Sequence, residues 1–175
     1  SAKMGEWEDD QNKLQIEIDN CEKECIKNTR NLSMICWMAG KDEKNPKNDF
    51  LTLLLDNHDP FFTKIVNYIT RTTATGKIVV EFLKLFEIMM RDNLPVLRRF
   101  VGKERNLKEK LQNLLNQTIH PNEDQMIKRW ILKIYYLITI YQNYNLKTTY
   151  DSLLADYTKD LDDKKCPEDV ENSNF

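Results

Sequence analysis

The chain has 175 residues, of which 41% are hydrophobic and 31% are charged, and its net charge is −2. This balance is typical of a globular protein rather than a disordered one, and the near-zero charge disfavours nucleic acid as a partner. No apolar run resembles a signal peptide, and no window is long enough for a membrane span.

Cysteine use favours a reducing compartment, the cytoplasm or the nucleus. Cys21 and Cys25 are one helical turn apart, Cys36 follows the same pattern, and Cys166 lies in a polar segment. A secreted disulfide framework would instead distribute its cysteines between loop-rich elements. The only two histidines fall in predicted turns, so we expect buried thiols and neither a metal nor a cofactor.

Residues 6–39 are predicted to form a long first helix. Its apolar positions repeat at alternating spacings of four and three, which is a heptad seam with one polar member. The seam comprises Leu14, Ile18, Cys21, Cys25, Asn28, Leu32 and Ile35. The helix either lies along the domain, with Trp37 and Met38 inserted into it, or forms an arm that pairs with a second copy or with a partner helix.

The next elements lead to a central helix. Gly40 ends the first helix, Asp49 is placed to cap a short second helix, and Asp59-Pro60 opens a third. Lys77 to Arg91 then reads as a helix that is apolar on nearly all sides. Its polar residues Glu81, Lys84 and Glu87 recur every three positions, which predicts a narrow solvated stripe of ion pairs rather than an acid–base pair.

The second half continues with helices separated by turn signals. Pro95 opens a short helix and LKEKLQNLLNQ forms another, while a strongly apolar helix surrounds Trp130. The segment QNYNLK is predicted to turn the chain into a last helix, TTYDSLLADYTKDL. From Asp162 onward we expect an acidic, frayed tail.

These patterns predict an all-α fold of about eight helices in a right-handed superhelix. We expect a single domain over 1–161, with the long N-terminal helix at 6–39, a superhelical body at 49–161 and a flexible tail at 162–175. Ser1-Ala2 is typical of a cleaved purification tag, so we expect a piece of a longer protein.

The order of the helices resembles that of VHS and ENTH domains, and also that of RNA polymerase tail-interacting domains. The features that carry the resemblance are the apolar central helix, the break at RDN, the tryptophan-bearing helix IKRWILKIYYLI and a final Y-x-x-L pattern from Tyr150 to Leu153. The resemblance covers roughly residues 49–158 and implies a recognition module for sorting signals, ubiquitin, phosphoinositides or phosphorylated peptides.

No catalytic motif is present, so an enzyme is not expected. We call the basic residues between 91 and 110 the basic band, and we expect it to contact an acidic ligand through Arg91, Arg98, Arg99, Lys103 and Arg105, with Lys128 and Arg129 nearby.

The leading hypothesis is a non-catalytic adaptor or scaffold domain that binds an acidic or phosphorylated peptide, or a helix, between its own helices. The alternatives are a structural ARM/HEAT-like segment that dimerises or docks through the N-terminal helix, and a peripheral adaptor for anionic lipid.

Overall fold

The computed structural model of this chain describes residues 21–41 and 47–164, which contain seven α-helices and no strand. The helices are α1 (Glu22–Ala39), α2 (Lys47–Asn57), α3 (Asp59–Tyr68), α4 (Gly76–Met90), α5 (Leu94–Val101), α6 (Leu107–Leu115) and α7 (Asp124–Lys164). They confirm the all-α prediction. The chain divides into two compact units between Leu137 and Ile138, so the first unit holds α1 to α6 and the start of α7. The second unit holds the rest of α7.

Helix α4 is the centre of the first unit, as its apolar circumference predicts. It contacts α1, α3 and α5, and nearly all of its side chains are buried. Phe82 packs edge-to-face on Tyr68 with ring centroids 5.3 Å apart, and Phe86 lies 5.4 Å from the ring of Phe100. Burying each such ring contributes about 1.5–3 kcal/mol relative to leaving it exposed.

The turn between α4 and α5 is shaped by the sequence RDNLP. Asp92 has a φ of 52°, a left-handed conformation that aspartate tolerates better than most residues. Asn93 then caps α5, because its side-chain oxygen accepts a hydrogen bond from the Val96 amide, and a proline occupies the first turn. The break after α4 is therefore encoded locally.

Gly76 begins α4 against the segment that precedes α7. A Cβ atom at this position would lie 2.6 Å from Oε2 of Glu123 and 2.9 Å from Cβ of His120. We expect Gly76→Ala to lower the free energy of unfolding by about 1–3 kcal/mol, although alanine is the better helix former. Urea titration measures this, with the exposed neighbour change Lys77→Ala as control. A Gly76→Ala protein as stable as the Lys77→Ala protein would contradict the close approach.

Several boundaries differ from those predicted. α1 begins at Glu22, because the backbone of Cys21 is extended (φ −148°, ψ 105°). The sequence predicts a helix from residue 6, and residues 6–20 of that prediction lie outside the described ranges. The turn predicted at QNYNLK is wrong, because α7 continues through it. The segment contains neither glycine nor proline, and asparagine alone does not end a helix. α7 also includes Asp162 to Lys164, which the sequence assigns to a frayed tail; residues 165–175 of that predicted tail lie outside the described ranges.

Candidate functional site

An open groove lies within the first unit, between α1, α4 and the beginning of α7. Its volume is about 430 Å³. α1 contributes four of its residues, α4 contributes four, the residue directly after α4 is a fifth from that side, and α7 contributes one. The lining residues are Arg30, Ser33, Met34, Trp37, Glu81, Lys84, Glu87, Ile88, Arg91 and Trp130. We call it the α1–α4 groove.

Helical spacing places these side chains together. On α1 the lining positions recur after three or four residues, from Arg30 to Trp37, and on α4 they recur in the same way from Glu81 to Ile88, with Arg91 directly after the helix. Residues at such spacings share one face of a helix. The opposite face of α1, which includes Cys25, Leu32 and Cys36, is buried, and α1 makes its most extensive contact with α4. The groove therefore follows the border between two helices that are packed together.

The base of the groove carries a buried carboxylate shared by two cations. Glu81 is 5% exposed, and its Oε1 accepts hydrogen bonds from Nε and Nη2 of Arg30 at 3.1 and 3.0 Å. Nζ of Lys84 lies 3.5 Å from the same oxygen. One negative charge thus faces two positive charges, which leaves a local excess of positive charge. Because the Arg30 side chain is 66% exposed, much of that excess faces solvent.

A second carboxylate, that of Glu87, is also largely buried. Its two oxygens accept hydrogen bonds from Nε and Nη2 of Arg91 at 2.8 and 2.6 Å, which is a bidentate ion pair. The hydrogen bond with Glu87 raises the pKa of Arg91 above its ordinary value, with burial opposing the change. The predicted stripe of ion pairs on α4 therefore exists, and Lys84 pairs with Glu81, but both glutamates are buried rather than solvated.

The rim of the groove is apolar and aromatic. Met34 and Trp37 on α1 are exposed, contrary to the expectation that Trp37 and Met38 insert into the domain. The ammonium of Lys41 lies 3.6 Å from the centre of the Trp37 ring, and that of Lys133 lies 4.1 Å from the centre of the Trp130 ring. Such cation–π contacts hold the indole faces beside positive charge.

Two polar atoms of the lining residues lack a hydrogen-bond partner within the described part of the chain. They are Oγ of Ser33 and Nε1 of Trp130, and both atoms are buried. A buried polar atom without a partner costs about 1–3 kcal/mol.

The structure does not assemble the basic band into one surface. Arg91 lies in the groove, whereas Arg99 and Arg105 both bind Asp59, and Arg99 also binds Asp56 at 2.6 Å. Arg105 is buried beneath this cluster. Of the remaining band residues, Arg98, Lys103 and Lys108 are exposed and Lys110 is half-buried, all outside the groove. Arg129 is also exposed outside the groove, and Lys128 pairs with Asp124 at 2.8 Å.

The heptad seam of the first helix is partly covered by the chain itself. Cys25, Asn28 and Leu32 are buried, Ile35 is half-buried and Cys21 is exposed. The seam residues Leu14 and Ile18 lie outside the described ranges. Intramolecular packing therefore already occupies the centre of the described part of the seam.

Of the residues that line the groove, sequence reasoning named only Arg91 as a ligand contact and missed the others. The sequence gives no indication that Arg30 belongs to a site, because its partner Glu81 is 51 positions away. Trp37 and Met34 were detectable as large apolar residues off the seam positions of the first helix, which is a pattern typical of an exposed apolar face.

Neither a metal site nor a membrane span is found in the part of the chain that the structure describes. No three His, Cys, Asp or Glu side chains there are grouped to hold a metal ion, and no helix there is long and apolar enough to cross a membrane. Comparison of the chain with protein-family models, with curated proteins and with solved structures gives no match.

Proposed function

We propose that this chain is a non-catalytic protein-interaction domain of an intracellular adaptor or scaffold. Its α1–α4 groove would bind a segment of another protein that carries an acidic side chain next to a large apolar one. We also propose that its helices form a right-handed superhelix of the VHS or ENTH type. The buried cysteines Cys25 and Cys36 suit the reducing cytoplasm or nucleus.

The observation that carries the proposal is the juxtaposition of exposed Trp37 and Met34 with two cations that share one buried carboxylate. Aromatic and methionine side chains are enriched at protein interfaces, where they supply apolar contact area. The excess positive charge beside them favours a carboxylate on the ligand, which would accept hydrogen bonds from Arg30 or Lys84. The groove therefore offers an apolar anchor point and an acid-binding point side by side.

A peptide array tests this assignment. The array displays nonapeptides with one Leu, Phe or Trp flanked by Asp and Glu, together with matched peptides in which Asn and Gln replace the acids. We expect the chain to bind acidic members, and to bind their amide counterparts about 10-fold more weakly because the charge-assisted contact is lost. The binding should also weaken as salt rises, since the cations are partly exposed.

Trp37→Ala is the variant that links the binding to the groove. We expect it to weaken binding of the best acidic peptide by at least about 10-fold, as is typical of an interfacial tryptophan. Met38→Ala is the matched control, because Met38 is also exposed on α1, at 47% against 39% for Trp37, but does not line the groove. Isothermal titration calorimetry gives both affinities. Equal loss in the two variants, or no loss in either, would show that the peptides bind elsewhere.

A further inference from the structure

We propose that the α1–α4 groove is a regulated site whose intramolecular occupant is the chain's own acidic segment Glu6–Asp10. This inference rests on the proposed function, because it assumes that the groove binds an acidic segment with an apolar anchor. The segment reads Glu-Trp-Glu-Asp-Asp and lies outside the residues that the structure describes. It would compete with a partner protein for the groove.

Charge and side-chain type identify this segment. Trp7 has a carboxylate on each side, from Glu6 and Glu8, so an indole anchor and an acid are adjacent in the chain. The groove presents the complementary pair, an aromatic rim at Trp37 and the surplus positive charge at Arg30. Indole rings bury a large area and also stack against arginine, which suits both features.

The backbone at the start of α1 allows the segment to turn back. An unbroken helix from residue 6 would carry Trp7 about 20 Å beyond Cys21, at 1.5 Å per residue, away from the groove. Instead Cys21 is extended, and its side chain makes no capping hydrogen bond, so the helix axis ends there. The groove begins at Arg30, about 14 Å along α1 from Cys21.

The connecting chain is long enough to close that distance. Ten residues, 11–20, separate Asp10 from Cys21, and an extended chain spans up to ~3.3–3.6 Å per residue. The C-terminal acids, Glu168 to Glu171, belong to the second unit instead. The N-terminal segment is thus joined directly to a helix that lines the groove. A connection of about ten residues gives an effective concentration on the order of millimolar.

Competition in the same chain predicts a measurable change in affinity. The probe is a fluorescein-labelled synthetic peptide with the sequence Gly-Glu-Trp-Glu-Asp-Asp-Gln, titrated into the full chain and into its Trp7→Ala variant. A peptide that binds the open groove at ~100 μM, facing a ~1 mM internal competitor, would bind the variant about 10-fold more tightly than the wild type. Met4→Ala removes an apolar side chain just before the segment and should leave the affinity unchanged.

The outcomes separate this inference from the proposed function. Equal affinity for the wild type and for Trp7→Ala would overturn the internal competitor while leaving the groove as a binding site. If the labelled peptide bound neither protein and the peptide array also showed no binding, both the groove as a binding site and the internal segment as its occupant would be overturned. The increase in peptide affinity caused by Trp7→Ala should also be the same at low and high protein concentration. An increase seen only at high concentration would mean that the segment binds the groove of a second copy, and would overturn binding within one chain.

Discussion

Asp59→Ala is expected to lower the free energy of unfolding by about 3–5 kcal/mol, because it leaves a buried cation without its carboxylate. Arg105 is 2% exposed, and its Nη2 binds Oδ1 of Asp59. Nη1 of Arg105 reaches the carbonyl of Arg99, which is a weaker contact at 3.4 Å, and Nε has no hydrogen-bond partner within residues 21–41 and 47–164. Asp59 therefore supplies the only carboxylate that balances this guanidinium among the described residues.

The double variant Asp59→Ala, Arg105→Met shows whether the uncompensated charge causes the loss. Replacing both members of a buried ion pair with apolar groups is often close to neutral, so we expect the double variant to recover most of the lost stability. Chemical denaturation of the wild type, the two single variants and the double variant forms a complete cycle. A double variant less stable than Asp59→Ala would show that Arg105 matters mainly as packing on Phe100, over whose ring its guanidinium lies at 5.7 Å.

Phe86→Ala is expected to cost about 3–5 kcal/mol, the usual range for removing a fully buried phenylalanine. Phe86 is 0% exposed at the centre of α4, and its ring is 5.4 Å from that of Phe100 on α5. Phe100 in turn meets Phe62 on α3 at 6.4 Å. The change therefore opens a cavity where three helices meet and removes one member of an aromatic cluster.

Phe86→Leu provides the matched control for that cavity. It keeps most of the apolar volume, so we expect it to cost much less than the alanine variant, about 1–2 kcal/mol. Guanidinium titration followed by circular dichroism at 222 nm measures both losses. If Phe86→Ala cost less than 1 kcal/mol, α4 would not be the packed centre of the first unit.

The buried character of α4 was predictable because it is encoded within 15 consecutive residues. Apolar side chains on nearly every side of one helix require cover from other elements, whatever those elements are. The start of α5 was predictable for the same reason, since Asn93 and Pro95 act on their own backbone. The turn predicted at QNYNLK was wrong because polar residues on a helix surface and polar residues in a turn give the same pattern.

The groove could not be predicted, because its geometry depends on pairs distant in sequence. Arg30 contacts Glu81 only because α1 packs on α4, and no spacing of residues within either helix predicts that contact. Likewise, Arg99 and Arg105 look available in the sequence, but both bind Asp59, 40 and 46 positions earlier. Counting basic residues along a chain does not reveal which of them tertiary ion pairs already neutralise.

The burial of Cys25 and Cys36 on the inner face of α1 has a practical consequence. Both cysteines have 0% exposure, whereas Cys21, directly before the first residue of the same helix, is exposed to solvent. An alkylating reagent can reach the two inner sulfurs only when α1 separates from its neighbours, so their labelling rate reports that local opening event. Cys21 supplies the internal reference for reagent reactivity. Because the groove follows the border of α1 and α4, a bound ligand that stabilises the contact between these helices should lower the labelling rate of the two buried cysteines.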